Sequence, residues 1–423
     1  MPATPSLTSR ARLAAVPRLF WPTPEDGRHR IRGKRFLLLS LPLIAAGGVA
    51  ALAAMLRGHH VMGTTSEISW GVLIATYVFF AVSSSGLCFV GSLGDIFGIE
   101  LFKPIAKKAV FLAFVILLLG FGVIATELER PFLLLRLVLL SPNFASPIWW
   151  MGTLYGVYFL FMTAELYLLL TEQHDRARKA GIVKLVAAIA ACSNLGAVFA
   201  LSHGRPYWYG PFVPLYMIAT ALVCGAALLI VVVYFEDYFT NERRLRAEHL
   251  ALLQGLGRLL ALFVGVVAVF TAWRAIAGVN GQHYGIYEVT KAMLGGPLFV
   301  SFWLFEILLA LVVPLAVLLG PRRREPTFIA LAAVLPLIGM FFVRYNFVYA
   351  GQMLSQKPVV GHFGELIDYA PPFKGNVAGL LPYTPSLVEV FIVLGALGAA
   401  LVLFVVGRQV LRLEEGAHDG YPT

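Results

Sequence analysis

Ten long apolar runs constrain this chain more than any other feature. They fall at roughly 36–56, 69–91, 105–126, 148–171, 182–202, 211–235, 253–274, 297–319, 327–349 and 387–411. About 20 mostly apolar residues, wound as a helix, cross the hydrocarbon layer of a bilayer. Lipid offers no partner to backbone N–H and C=O groups, so a spanning segment must satisfy them internally. The expected fold is therefore an all-α polytopic membrane protein with about ten transmembrane helices. Composition agrees, since the 423 residues are 59% hydrophobic and only 13% charged. A soluble domain carries about 25% charged residues.

The net charge of +10 reads as orientation and not as a nucleic-acid footprint. Lys and Arg collect in the loops that stay in the cytoplasm. Alternating the loops across ten spans puts 24 of the 33 Lys and Arg on the side of the N-terminus and 9 on the other. Both termini are expected in the cytoplasm of a bacterial inner membrane, with the opposite face periplasmic. The expected layout is a cytoplasmic segment 1–35, a membrane domain 36–411 and a cytoplasmic tail 412–423. A long outer loop, 350–386, is a functional surface or a passive lid. The first 35 residues are polar and Arg-rich and lack a cleavable signal pattern.

Cys88, Cys192 and Cys224 lie far apart in apolar runs. Iron–sulfur clusters and structural zinc need clustered thiolates. No metal site and no iron–sulfur cluster is expected in this chain. A haem b needs facing histidines within spans, and His203 has no such partner, so no haem is expected either.

The unusual polar and aromatic residues all map to one face. "GTTSEISWG" (63–71), "SPIWWMG" (146–152) and "YTPSLVEV" (383–390) enter spans from the outside. "ELERPF" (127–132), "HGRPYWYG" (203–210) and "RYNFVYAGQ" (344–352) lie at the outer ends of spans. Anchoring alone would place aromatics at both faces. Aromatic walls with a few convergent polar groups are the usual recipe for a small-molecule site. A flat, membrane-dissolved quinone is the natural guest.

These motifs resemble those of the NrfD/PsrC/HybB family of quinone-linked membrane subunits. "SPIWWMG" is similar to the polysulfide-reductase membrane subunit almost letter for letter, and "GRPYWYG" resembles its RPxWxG stretch. "ELERPF" stands where the family usually has Asp-Leu-Gly-Arg-Pro, with Glu127 for Asp and Glu129 for Gly. "RYNFVYAGQ" and "YTPSLVEV" look like motifs of the longer, ten-helix members. Asn194 stands where the short relative has a tyrosine near its quinone, and Tyr77 where it has a histidine. The resemblance spans about residues 65–411. It implies two four-helix bundles plus two extra helices, with quinone (menaquinone foremost) as the bound substrate. The implied partners are a periplasmic ferredoxin-like iron–sulfur subunit and a molybdopterin-type or multihaem cytochrome c subunit.

On this reading the quinone-binding candidates are His203, Arg205, Trp149, Trp150, Asn194, Tyr77 and Trp208. Quinone chemistry needs donors to the ring oxygens and a proton-exchanging group, and an imidazole titrates in the right range. His203 can equally be a loop histidine, and the tryptophans packing residues. Glu306, Glu165 and Asp95 outline a proton half-channel from the cytoplasm. Glu306 is expected near mid-membrane, where an ionisable group is functional by default. Asp95 and Glu165 can instead pair with Lys103, Lys107 or Lys184. Glu127 and Glu129 are candidates for passing protons to the outer water, with Arg130 as an ion-paired clamp. Arg344, Asn346, Glu389 and Glu67 are site-organising candidates, and Gln352 a further hydrogen-bonding one. Helix capping is the competing role for Glu67 and Glu389. The expected function is a quinone-binding subunit of a respiratory redox complex. A proton-coupled transporter and a membrane anchor with a vestigial quinone site are the alternatives.

Overall fold

The computed structural model describes residues 34–128, 130–240, 245, 247–354, 359–360, 366–367, 380–411 and 413. Among the described residues ten helices are long and apolar enough to cross a membrane. They are α1 (Lys34–Arg57), α2 (Val72–Asp95) and α3 (Ala106–Glu127), then, after the short α4 (Pro131–Leu140), α5 (Pro147–Leu170), α6 (His174–Ala200), α7 (Phe212–Thr240) and α8 (Ala247–Asn280). The short α9 (Ile286–Gly295) precedes α10, wound as a π-helix over Ser301–Val312 and as an α-helix over Val313–Leu319. The last two are α11 (Pro326–Ala350) and α12 (Leu387–Val410). A two-residue antiparallel ladder, Val359–Val360 with Leu366–Ile367, is the only sheet among the described residues. The segments 1–33 and 414–423 and most of the 350–386 loop lie outside them.

The helix ends follow local chemistry. Ser146 caps α5 through the Trp149 N–H (3.4 Å), with Pro147 in the first turn, where its missing N–H costs nothing. Ser386 and Glu389 form a reciprocal capping box on α12. α4 and α9 are too short to span, and lie at the end of the molecule that carries the aromatic motifs.

Packing sorts the spans into two rings. α2, α3, α5 and α6 close one four-helix bundle, and α7, α8, α10 and α11 close another. The bundles share a seam of α2 and α6 against α7 and α11, while α1 pairs with α12 against α3 and α2. This is the expected architecture of two bundles plus two helices. The seam needs small residues. A Cβ on Gly86 would meet the backbone of Ala221, and one on Gly225 the backbone of Gly86. Backbones in such contact gain dispersion energy that lipid cannot match. The periphery is apolar and exposed, as at Leu160, Leu215, Val269 and Trp273, which is a bilayer-facing surface.

Candidate functional site

At the motif end, three loops are tied together by side chains reaching for backbone. Arg205 donates to the carbonyls of Glu67 (3.0 Å), Leu354 (3.3 Å) and Gln352 (3.4 Å). The Trp208 indole donates to the Phe347 carbonyl at 2.7 Å and stacks on Trp70, with centroids 5.2 Å apart. Gly351 lies flat against that indole. Gln352 accepts from the Trp70 N–H (3.0 Å) and donates to the Trp70 carbonyl (2.8 Å). Partial burial draws the Arg205 guanidinium below its ordinary value, opposed by nearby Glu67. The "RPYWYG" motif is thus a latch that fastens the α6–α7 loop to the end of α11 and to the 63–71 segment.

The remaining quinone candidates fall elsewhere. His203 is exposed, its ring 4.9 Å from that of Tyr209. Trp149 and Trp150 brace the elbow before α5, donating to the carbonyls of Val138 (3.0 Å) and Phe144 (2.9 Å). Asn194 donates to the Pro147 carbonyl at 2.9 Å. Tyr77 is buried in α2, within the first bundle. The motif residues therefore share one end of the molecule without converging on one cavity.

Glu389 is an organiser. Its carboxylate accepts from the N–H groups of Gly63 (2.7 Å) and Ser386 (2.8 Å) and from the Tyr383 hydroxyl (2.8 Å). The Tyr383 hydroxyl also accepts from the Val72 N–H at 2.7 Å. Burial, then Glu389, push this phenol above its ordinary range, so it stays a donor. Glu67 differs from its expected capping place, because α2 starts only at Val72. The clamp expected of Arg130 involves Glu129, which lies outside the described residues. Arg130 is exposed, and its carbonyl accepts from Leu133 at the start of α4. Glu127 is buried, with neither carboxylate oxygen hydrogen-bonded among the described residues.

Inside the membrane region, buried polar side chains form a diagonal series. It starts at the basic end of the first bundle, where Glu165 and Lys184 pair at 2.5 Å. Asp95, the last residue of α2, converges with Glu165 on the space that a Cβ at Gly181 would fill. Lys184 is thus the realised one of the three lysine partners considered. Seven residues along α5, about 10 Å by helical rise, the Tyr158 hydroxyl meets the Ser84 hydroxyl at 3.0 Å. Tyr155 follows, its hydroxyl buried without a hydrogen-bond partner among the described residues. Across the seam Arg344 is fully buried. It donates to the Thr220 hydroxyl and the Met217 sulfur, and its Nε has no partner among the described residues.

The series ends in the second bundle. Arg274 donates to Glu306 at 2.8 Å, and Asn346 donates to the other Glu306 oxygen at 3.1 Å. Ser301 donates to Asn346 at 2.5 Å. Arg274 also sits over the rings of Tyr216 (5.1 Å) and Tyr207 (5.7 Å). Glu306 is fully buried within the π-helical part of α10. A narrow cleft lies beside Arg274, lined by Tyr207, Thr271, Thr290, Met293 and Phe302 among others. Burial pushes the Tyr207 phenol up to about 12, so it donates, here to the Met293 sulfur at 3.0 Å.

Arg274, Tyr155 and Tyr158 were not singled out in the sequence. Arg274 had a signal, a lone guanidinium at the end of an apolar run. The tyrosines had none, because phenols within apolar runs look like packing. Among the described residues no group of three or more His, Cys, Asp or Glu could hold a metal ion.

Ten apolar helices among the described residues, eight in two bundles and two beside them, define a multi-pass membrane protein with buried charged groups. The polysulphide reductase, NrfD, family profile matches residues 60–356, and the chain belongs to that family. It is 29% identical to a putative dimethyl sulfoxide reductase membrane subunit of Halobacterium salinarum, over 90% of this chain and 91% of that one. It is 25% identical to a selenate reductase subunit of Mesobacillus selenatarsenatis, over 89% and 94%. It is 23% identical to the Hdr-like menaquinol oxidoreductase integral membrane subunit of Archaeoglobus fulgidus, over 83% and 86%.

Proposed function

We propose that this chain is the quinone-interacting membrane subunit of a multisubunit respiratory redox complex in a bacterial inner membrane. In this reading residues 36–411 form the membrane domain, with both termini cytoplasmic. The motif end faces the periplasm and docks an iron–sulfur protein. That partner links the (mena)quinone pool to a molybdopterin-type or multihaem cytochrome c enzyme. The names of the relatives support this, being those of reductase membrane subunits and of a menaquinol oxidoreductase.

The observation that carries the reading is the diagonal series of buried ionisable groups. Carboxylates, lysine and arginines are costly at membrane depth and mark proton relays when they occur there. Here they run from Asp95, Glu165 and Lys184 at the basic end, past Tyr158, Tyr155 and Arg344, to Arg274 and Glu306. Quinone reduction or oxidation supplies the need for such a route, since each two-electron step moves two protons. The residues of the chain would hold and pass those protons, while the electrons pass to or from the partner.

A proton-coupled transporter would break related helices in both halves at the midplane. Here α10 is irregular, whereas α5, its counterpart by position in the ring, is a continuous α-helix.

The test is mild extraction from native membranes followed by mass spectrometry of what co-purifies. Iron–sulfur and molybdopterin-type or cytochrome partners, with bound quinone, are expected. A chain that comes out alone and without quinone overturns the reading.

A further inference from the structure

Two acids meet over a glycine at the basic end of the first bundle. Glu165 on α5 is fully buried, and its Oε1 has no hydrogen-bond partner among the described residues. The Oδ2 of Asp95, at the end of α2, is buried and unpartnered in the same way. A Cβ built on Gly181 of α6 would lie 2.5 Å from that Glu165 oxygen and 3.5 Å from that Asp95 oxygen. The two oxygens are therefore separated by no more than the sum of these distances. Ionised carboxylates only accept hydrogen bonds, so neither oxygen can satisfy the other unless one carries a proton.

The cations nearby leave one anion over. Lys184, one turn along α6 from Gly181, is buried and lies 2.5 Å from the other Glu165 oxygen. Lys103 lies 2.5 Å from Glu100, and Lys108 lies 2.9 Å from Glu236. Arg178, one turn before Gly181, donates to the Ile96 carbonyl at 3.2 Å. Among the described residues Asp95 and Lys107 form no ion pair. Two carboxylates thus face one lysine. Like charges that share a buried site do not both stay ionised cheaply, and they titrate as a pair. A proton on either acid removes the excess charge and turns the contact into a hydrogen bond. A metal ion would call for more oxygen ligands than these two acids supply.

We propose that Asp95 and Glu165 hold a single proton between them, with Lys184 as counter-ion, and that Gly181 is the positioning residue that lets them meet. This rests on the proton route proposed above and gives that route a loading point at its basic end. Asp95 is half-buried and Glu165 is sealed, so the proton reaches Asp95 first. A methyl group on residue 181 would take the place of the Glu165 oxygen and turn that flexible side chain away from Asp95. The helix itself would gain, because alanine is a better helix former than glycine.

The test is infrared spectroscopy of the full chain in lipid at neutral pH, in light and in heavy water. Wild type is expected to show a carboxylic-acid C=O band, downshifted in heavy water, that is lost in both Asp95→Asn and Glu165→Gln. Each of those variants leaves one acid and one lysine, which need no proton. Gly181→Ala is expected to lose the same band while unfolding at or above the wild-type temperature. A band lost in only one of the two acid variants means that one acid is protonated by itself, and overturns the proposal. So does a band that survives Gly181→Ala in a folded chain. No such band, with carboxylate stretches that move when sodium replaces potassium, would assign the pair to a metal ion and overturn it as well. A band lost in both acid variants, together with unchanged proton exchange in Glu165→Gln during quinone turnover, would uphold the pair and overturn the proton route.

Discussion

Trp208 carries two roles at once: its indole N–H satisfies the end of α11 and its ring closes the stack with Trp70 and Phe199. Trp208→Phe removes the bond and leaves the Phe347 carbonyl with only the long Gly351 N–H contact (3.4 Å), at a cost of about 0.5–1.5 kcal/mol. Thermal unfolding in detergent is expected to fall for this variant and to stay near wild type for His203→Ala, since His203 is exposed. Glu306→Gln leaves Arg274 without its carboxylate, and breaking a buried pair costs roughly 3–5 kcal/mol. Activity of the assembled complex is expected to drop for Glu306→Gln. Glu67→Gln, whose tie to Arg205 runs through the backbone carbonyl, is expected to keep it. Unchanged activity and proton uptake in Glu306→Gln would remove Glu306 from the path. Sequence alone located the motif residues at one end, because their spacing follows the span ends. It could not separate His203 from Arg205 and Trp208. All three are polar or aromatic residues in one loop, and only the fold decides which of them finds a buried carbonyl.

At the scale of elements, close approach decides the assembly. Gly86→Ala is expected to push α2 off α7, with overpacking on the order of 1–3 kcal/mol. Gly122→Ala, which meets nothing within 4 Å, is expected to be silent. Thermal stability and gel-filtration homogeneity of the two variants separate the cases, and equal behaviour would mean that the seam is not tight. Ten spans were legible because apolar runs of that length have one solution in lipid. Their ends were less so. α6 begins at His174, eight residues before the apolar run, because "HDRARK" is helical but polar. The short α4 is an apolar run too short to read as a span, and neither α9 nor the π-helical start of α10 was separable by hydropathy. Length alone does not report a helix that lies at the membrane surface, or a change of winding.

Across the whole molecule, charge is sorted by depth. The basic end holds Lys108, Glu236 and Arg408 in one network, with contacts of 2.9 and 2.8 Å, and this ties α3, α7 and α12 together. The Asp95, Glu165 and Lys184 group lies at the same end of the first bundle. The Arg274 and Glu306 pair lies near the other end, in the second. Lys184 was among the partners open to Glu165 in the sequence, whereas the pairing of Glu306 with Arg274 was not legible there, since it depends on which helices close the second bundle. Arg344, at that seam, is where the two halves of the series meet, and Arg344→Met is expected to uncouple them. The direct test is to reconstitute the complex in liposomes and follow pH on each side during quinone turnover, in wild type and Glu165→Gln. The account predicts proton exchange on the side of the termini, lost in Glu165→Gln. Proton exchange confined to the motif side, and unchanged in the variant, would contradict it.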